Sequence, residues 1–282
     1  MSAVLTQPSG IRGRLLAKGH TLIEMLAAVA ILAMMLVLMY QMVEGIFHAT
    51  RKQSRGMECV ATGRLALDVM TSDLENGLFN ENSTLIAPTN ASATNLFALL
   101  CNRRSSNATS IPRFLAVNYS LNGSNQLVRS YGSVGFGLVS TLSSALTIPT
   151  APSVPLAKGV LAVKALAITD STNYPLSGMA SSNWAVTGSY NGHSVPSGYN
   201  AIVVDSAGFS SRWTNCTHAI EVWIAVVDDD DYGILKGSGK LAPLVASLGS
   251  DPTGWRAQVD AWSIPADVKS GIHIQKKTIP LP

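Results

Sequence analysis

The chain contains a run of nineteen residues without a charge, Met25 to Val43, and one carboxylate, Glu24, stands immediately before it. At about 1.5 Å of rise per residue, a helix of this length spans roughly the hydrocarbon thickness of a bilayer. A cleavable secretory signal has a shorter apolar core that ends in a small-residue site, whereas here the glycine precedes the run. The segment therefore predicts a membrane-spanning helix that is preceded by a single acidic residue.

The residues around Glu24 form a pattern known from one family. Lys18-Gly19 is followed by the run from Thr21 to Leu26 and then by a stretch of Ala, Ile, Leu and Met. This arrangement resembles the class III prepilin signal of type IV pilins and type II secretion pseudopilins. The family usually begins its mature chain with Phe or Met, whereas His20 occupies that position here.

The resemblance implies how the N-terminus is processed. A prepilin peptidase cuts after Gly19 on the cytoplasmic side and methylates the new terminal amine, here on His20. Residues 1–19 are then a cytoplasmic leader, residues 20–43 a transmembrane helix, and the C-terminal domain is periplasmic. The implied location is the bacterial inner membrane and then a pseudopilus filament. The implied partners are the prepilin peptidase, other pilins or pseudopilins, and the inner membrane.

The acid at position 24 corresponds to the conserved acid of that family. A carboxylate without a partner is costly in an apolar medium, so Glu24 is expected to face a cation. The terminal amine of a neighbouring subunit is the nearest cation of the right kind, and this pairing predicts a role for Glu24 in assembly. The alternative is that Glu24 lies at the headgroup level of a lone anchor and needs no partner.

The charge balance excludes a nucleic-acid-binding surface of the usual basic kind. The leader carries Arg12, Arg14 and Lys18 and no acid, so its removal lowers the 20 basic residues to 17, equal to the 17 acidic residues. Binding to nucleic acid through phosphate contacts needs an excess of Lys and Arg. A charged fraction of only 13% instead suggests an extracytoplasmic, sheet-rich domain.

Helical periodicity continues beyond the apolar run. An apolar stripe at spacings of three, four and seven predicts one buried face over residues 44–79, an amphipathic continuation of the helix. No proline occurs between His20 and Leu78, which favours one helix from about 21 to 78, ended by a left-handed glycine cap near Asn76-Gly77. The stripe consists of Met57, Val60, Leu67, Met70, Leu74 and Leu78.

Residues 80–282 are predicted to form one globular, β-rich domain. Short apolar runs alternate with Asn, Ser, Gly and Pro, and Leu121 to Asn125 carries an Asn-Gly hairpin signal. Ser140 to Pro155 and Asp170 to Tyr199 look like long loops. The predicted fold class is α+β, a pilin fold in which a long helix packs on an antiparallel sheet. Strands are predicted at 114–120, 126–131, 160–169, 201–205, 219–227 and 272–279.

Sequence motifs typical of catalytic or cofactor-binding sites match only in part or are absent. Gly233 to Lys240 places five residues between Gly233 and Gly239 where a phosphate loop has four, and Leu241 replaces the required Ser or Thr. Gly237 to Ala242 matches a dinucleotide fingerprint literally, but no buried strand precedes it, so a flexible loop is the better interpretation. No catalytic residue and no cofactor other than an optional calcium ion is predicted.

The aspartate run from Asp228 to Asp231 and the three cysteines can each be interpreted in two ways. Some pseudopilins bind calcium in loops of this domain, and the run could supply oxygen ligands, but a solvated turn is the favoured reading. In an oxidising periplasm, Cys101 and Cys216 are the expected disulfide, with Cys59 left on the helix, and the alternative is three reduced thiols. The run consists of Asp228, Asp229, Asp230 and Asp231.

Two classes of function follow from these observations. Tyr40-Gln41, near the end of the apolar run, and the segment from Arg64 to Leu74 resemble the corresponding parts of the larger minor pseudopilins of the J or W type. Val160 to Thr169 and Glu221 to Asp229, with Trp213 between them, resemble a minor-pilin-like cassette protein of Verrucomicrobia. The favoured function is a non-enzymatic filament subunit for secretion, adhesion or DNA uptake. The alternative is a membrane-tethered periplasmic binding or enzymatic domain.

Overall fold

A single long helix, α1, begins at Leu22 and ends at Glu75, close to the predicted end at Asn76-Gly77. Leu, Ala and Met favour the helix and no proline interrupts it. Gly77 does not take the predicted left-handed cap, because only Gly159 and Gly239 have positive φ among the described glycines. Gly77 instead forms an isolated β-bridge with Cys101.

The computed structural model divides the chain into two units, Met1–Lys52 and Gln53–Pro282, and α1 contributes to both. The first unit contains the exposed apolar part of α1. The second contains the rest of α1, all the strands and the shorter helices. The structure describes residues 21–79, 85–88, 95–102, 113–135, 152–169, 173–175, 185–186, 189–190, 193–195, 197, 199–202, 217–248 and 251–281.

The larger sheet has seven antiparallel strands in the order β5-β4-β3-β2-β1-β11-β8. Its best-paired strands, β3 and β4, are joined by the predicted hairpin, in which Asn125 takes the left-handed conformation. The strands are β1 (Leu85–Pro88), β2 (Asn95–Cys101), β3 (Arg113–Leu121), β4 (Leu127–Gly135), β5 (Ser153–Ala157), β8 (Ala185–Val186) and β11 (Tyr199–Ile202).

The smaller sheet has four strands in the order β13-β12-β6-β7, and a separate pair is formed by β9 and β10. The loop predicted from Asp170 to Tyr199 thus contains four short strands, and β5 begins in the last three residues of the loop predicted from Ser140 to Pro155. Residues 203–205 of the strand predicted at 201–205 lie outside the described residues. The strands are β6 (Val160–Ile168), β7 (Asn173–Pro175), β9 (Ser189–Tyr190), β10 (His193–Ser194), β12 (Ala219–Val226) and β13 (His273–Pro280).

Four short helices and a 3₁₀ turn, which the sequence analysis did not predict, separate β12 from β13. They are α2 (Asp229–Gly237), α3 (Leu241–Ser247), the 3₁₀ turn Pro252–Gly254, α4 (Trp255–Ala261) and α5 (Ala266–Gly271). The segment from Gly237 to Ala242, interpreted as a flexible loop, is instead the last residue of α2, a short turn and the start of α3. Leu235, Leu244, Trp255, Val259 and Val268 form a second core against the smaller sheet.

The main core lies between α1 and the two sheets. Leu67, Met70 and Leu74 of the predicted stripe are buried there, which confirms that the helix packs on antiparallel sheet. Val60 is half-buried, and Met57 is 61% exposed, so the stripe begins later than its periodicity indicated. The α+β fold class is confirmed, with the long helix first and its second half as one wall of the core.

We expect Leu67→Asp to destabilise the protein strongly, because Leu67 is only 4% exposed and an aspartate there would be an unpaired charge in the core. The cost is about 3–5 kcal/mol, which corresponds to a melting temperature about 10 °C lower for the full chain in detergent micelles. Leu65→Asp is the matched control, because Leu65 is 59% exposed two residues earlier. Similar melting temperatures for the two variants would contradict this placement of the core.

Candidate assembly site

The first turn of α1 is closed by a reciprocal pair of hydrogen bonds. The backbone N–H of Thr21 donates to Glu24 Oε2 at 3.2 Å, and the backbone N–H of Glu24 donates to Thr21 Oγ1 at 3.4 Å. This is a capping box, in which a Thr and a Glu three residues later satisfy each other's backbone donors. Thr21 is therefore the N-cap of α1, and Glu24 completes the capping box within the same chain, a role that the Thr-Leu-Ile-Glu spacing could have revealed.

The part of α1 that follows Glu24 carries exposed apolar side chains around its whole circumference. Among the described residues, α1 is the one helix long and apolar enough to cross a membrane, and none of its most apolar window is buried in the protein. From Leu22 to Phe47 every large apolar side chain is exposed. Exposed apolar surface of this extent marks a membrane or protein contact. Gly19 and His20, the predicted processing residues, lie outside the described residues.

A buried ion pair holds the other end of α1 against the larger sheet. Asp73 is fully buried, and Arg129 contacts it with both Nε–Oδ2 at 2.6 Å and Nη2–Oδ1 at 3.2 Å. Tyr119 Oη donates to the same Oδ2 at 2.5 Å. A carboxylate at the negative end of a helix is unfavourable, so Arg129 offsets both the helix dipole and the burial. No signal in the sequence marked Asp73 for this role.

The pKa values of the two partners shift in the same direction. Burial, and then the charge of Asp73, raise the pKa of Tyr119 well above its usual range. Burial lowers the pKa of Arg129, but its hydrogen bond and charge interaction with Asp73 raise it by more, so the net shift is upward. Both groups therefore keep their protons at every physiological pH, and the three side chains form one neutral phenol bound to one ion pair.

The structure places two of the three cysteines. Cys101 is buried, and its Sγ donates to the backbone carbonyl of Asp73 at 3.3 Å. Cys216, its predicted disulfide partner, lies outside the described residues, so the disulfide stays a prediction. Cys59 is half-buried beside a cavity of about 380 Å³. Burial, and then Asp228, Asp229 and Glu58, raise the pKa of the Cys59 thiol to about 11, so it stays protonated.

The aspartate run is a helix start, which corrects the solvated turn expected from the sequence. Asp228 is the N-cap of α2 and accepts the backbone N–H of Asp231 at 2.8 Å. Acids in the first turn of a helix are favoured by its dipole. Asp230 forms an ion pair with Arg55, and Asp231 is buried beside Gly271. Within the described residues no three His, Cys, Asp or Glu side chains are grouped as metal ligands.

Comparison with known proteins identifies the N-terminal segment. Residues 14–40 match the family model described as the prokaryotic N-terminal methylation motif, which confirms the class III prepilin signal. The chain is also similar to a solved type IV-like pilin from Thermus thermophilus, with 12% identity over 79% of this chain and 96% of that chain. Their TM-score of 0.38 is too low to equate the two folds. No curated protein sequence matches, and the narrower J or W type stays a prediction.

We expect Arg129→Met to cost more stability than Asp73→Asn, because it leaves the buried carboxylate of Asp73 without its cation. The expected loss for Arg129→Met is about 3–5 kcal/mol. The double variant should be more stable than the sum of the single effects predicts, as for side chains in direct contact. Denaturant unfolding of the four proteins measures this coupling, and purely additive effects would show that the ion pair does not hold the helix end.

We also expect the protein to lose stability at alkaline pH through Tyr119. Because its folded pKa is raised above the unfolded value of about 10, the stabilisation is complete below pH 10 and is lost as the pH rises further. Tyr119→Phe should flatten this decline between about pH 10 and pH 12. Both proteins should carry Cys59→Ala, because the raised pKa of the Cys59 thiol also makes stability fall at alkaline pH. Parallel melting curves across that interval would contradict the assignment.

Proposed function

We propose that this chain is a minor pilin-like or pseudopilin subunit that is inserted in the bacterial inner membrane and then assembled into a filament. The observation that carries the proposal is a capped carboxylate, Glu24, at the start of an exposed apolar helix, inside the segment that matches the methylation motif. Processing after Gly19 by a prepilin peptidase would make His20 the new terminus. The motif and the helix favour a structural role over an enzymatic one.

The chemistry of assembly follows from where the carboxylate lies. Glu24 in an apolar environment gains from a cation, and the terminal amine of another subunit is a cation at the same depth. An ionised carboxylate accepts several hydrogen bonds, so the bond from Thr21 does not exhaust its capacity. The capping box also fixes the Glu24 side chain in advance, which lowers the entropy lost when the amine binds.

The exposed helix supplies the rest of the proposed interface. Before assembly the apolar side chains from Leu22 to Phe47 are covered by lipid. In a filament the same side chains would be covered by the helices of neighbouring subunits. Small and flexible residues such as Ala and Met suit close helix–helix packing in an apolar medium. The C-terminal unit would then be displayed outside the membrane, on a secretion, adhesion or DNA-uptake filament.

We expect Glu24→Ala to impair assembly while leaving insertion and processing intact. Loss of the carboxylate removes the partner of the neighbouring amine, and a loss of about 1.4 kcal/mol or more would lower crosslinking to partner subunits about tenfold. Glu44→Ala is the matched control, because Glu44 is an exposed glutamate on the same helix beyond the apolar run. The measurement is site-specific photocrosslinking in a host with a complete assembly machine.

Intact mass of the same samples separates processing from assembly. Wild type and both variants should carry a methylated terminus at His20, and their membrane fractions should be equal. Crosslinking of Glu24→Ala at the wild-type level would refute the carboxylate–amine pairing. A wild-type terminus still at Met1 in that host would refute the prepilin assignment itself.

A further inference from the structure

Two ring-bearing residues of α1 lie on one face of the helix, near the end of its apolar part. Tyr40 and Phe47 are the only Phe, Trp or Tyr residues in the 54 residues of α1, and they are 68% and 59% exposed. Arg51 follows Phe47 by about one turn, so the three residues recur at spacings of seven and four. These spacings place them on the same side of a helix. We call Tyr40, Phe47 and Arg51 the interfacial face.

The interfacial face lies where a membrane-spanning helix would leave the bilayer. The charge-free run ends at Val43, and Tyr is enriched at this level in membrane proteins because its ring is apolar and its hydroxyl is polar. Arg51 lies about 12 Å beyond Val43 along the helix axis. Side chains lean toward the N-terminus of a helix, so the guanidinium reaches back about one turn. It thereby reaches the headgroup layer, which is about 5–7 Å thick.

The local charge and the contacts of Arg51 favour an anionic ligand. Between Val43 and Gln53 the chain has one acid, Glu44, and two cations, Arg51 and Lys52, which leaves a formal charge of +1. The Arg51 side chain is exposed and forms no ion pair or hydrogen bond with any residue that the structure describes. A guanidinium in this state has all five of its N–H donors available for a ligand.

We propose that the interfacial face binds one phospholipid of net negative charge, with the lipid phosphate on Arg51. The planar guanidinium can donate two parallel hydrogen bonds to phosphate oxygens, and a basic residue near an anionic membrane surface adds electrostatic attraction. Tyr40 and Phe47 would contact the glycerol and the upper acyl carbons of the same lipid. A zwitterionic lipid has the same phosphate but also a positive group, so it matches the local charge of +1 less well.

The inference rests on membrane insertion, which is the first step of the proposed function, and not on filament assembly. All three residues belong to the unit Met1–Lys52. Wild-type chain that alkaline carbonate extracts from vesicles would contradict the proposed function itself. Chain that resists this extraction but shows no preference for anionic lipid would overturn only the lipid site.

The test is native mass spectrometry of the full chain in detergent, which counts the lipids bound to each protein molecule. Phosphatidylglycerol and phosphatidylcholine with identical acyl chains are titrated separately. Wild type should bind phosphatidylglycerol about fivefold more tightly than phosphatidylcholine. Arg51→Gln should abolish this preference, whereas Arg51→Lys should retain most of it because the charge is kept. Equal preference in wild type and Arg51→Gln would overturn the proposal.

The matched control is Arg51→Gln/Gln53→Arg, which keeps the net charge and moves the cation about 200° around the helix, away from the two rings. This variant should bind phosphatidylglycerol as weakly as Arg51→Gln does. Wild-type affinity in the control would show general charge attraction and would overturn the site. Displacement of phosphatidylglycerol by millimolar inorganic phosphate would show an anion site independent of lipid, and would overturn the lipid assignment.

Discussion

The C-terminal unit is organised around the buried carboxylate of Asp73. Its side chain bonds Tyr119 of β3 and Arg129 of β4, and its backbone carbonyl accepts the thiol of Cys101 on β2. One residue thus connects the last turn of α1 to three adjacent strands. The hydrophobic effect is non-directional, so it sets the position of the helix on the sheet less strictly than these bonds do. The ion pair and the phenol fix one position, since any displacement would leave a charge buried without its partner.

The two parts of α1 obey different physical constraints along one continuous helix. From Leu22 to Phe47 the apolar side chains cover the whole circumference, so this part requires an apolar surrounding. From Gly63 onward only one face is buried, and Leu67, Met70 and Leu74 occupy it. A single stretch of helix therefore passes from a segment that needs lipid or other helices to a segment that supplies its own core.

The sequence predicted the elements whose signals are local. The apolar run, the helical stripe and the Asn-Gly hairpin each depend on neighbours within a few residues, and all three are present. The helices between β12 and β13 were missed because each is short and contributes only one or two apolar residues to the second core. Their start was nevertheless encoded, since Asp228 followed by three acids is a helix N-terminus and not merely a run of like charges.

Pairings distant in sequence could not be predicted in the same way. Asp73 and Arg129 are 56 residues apart, and nothing in either neighbourhood distinguishes them from exposed charges. Glu24 differs, because both its partner Thr21 and its apolar surroundings are local. The capping box satisfies two backbone donors of the helix end within the chain itself, so Glu24 already has a structural role there. Under the proposed assembly role, pairing with the terminal amine of a second subunit would add a charge interaction to a side chain that the capping box already holds in place.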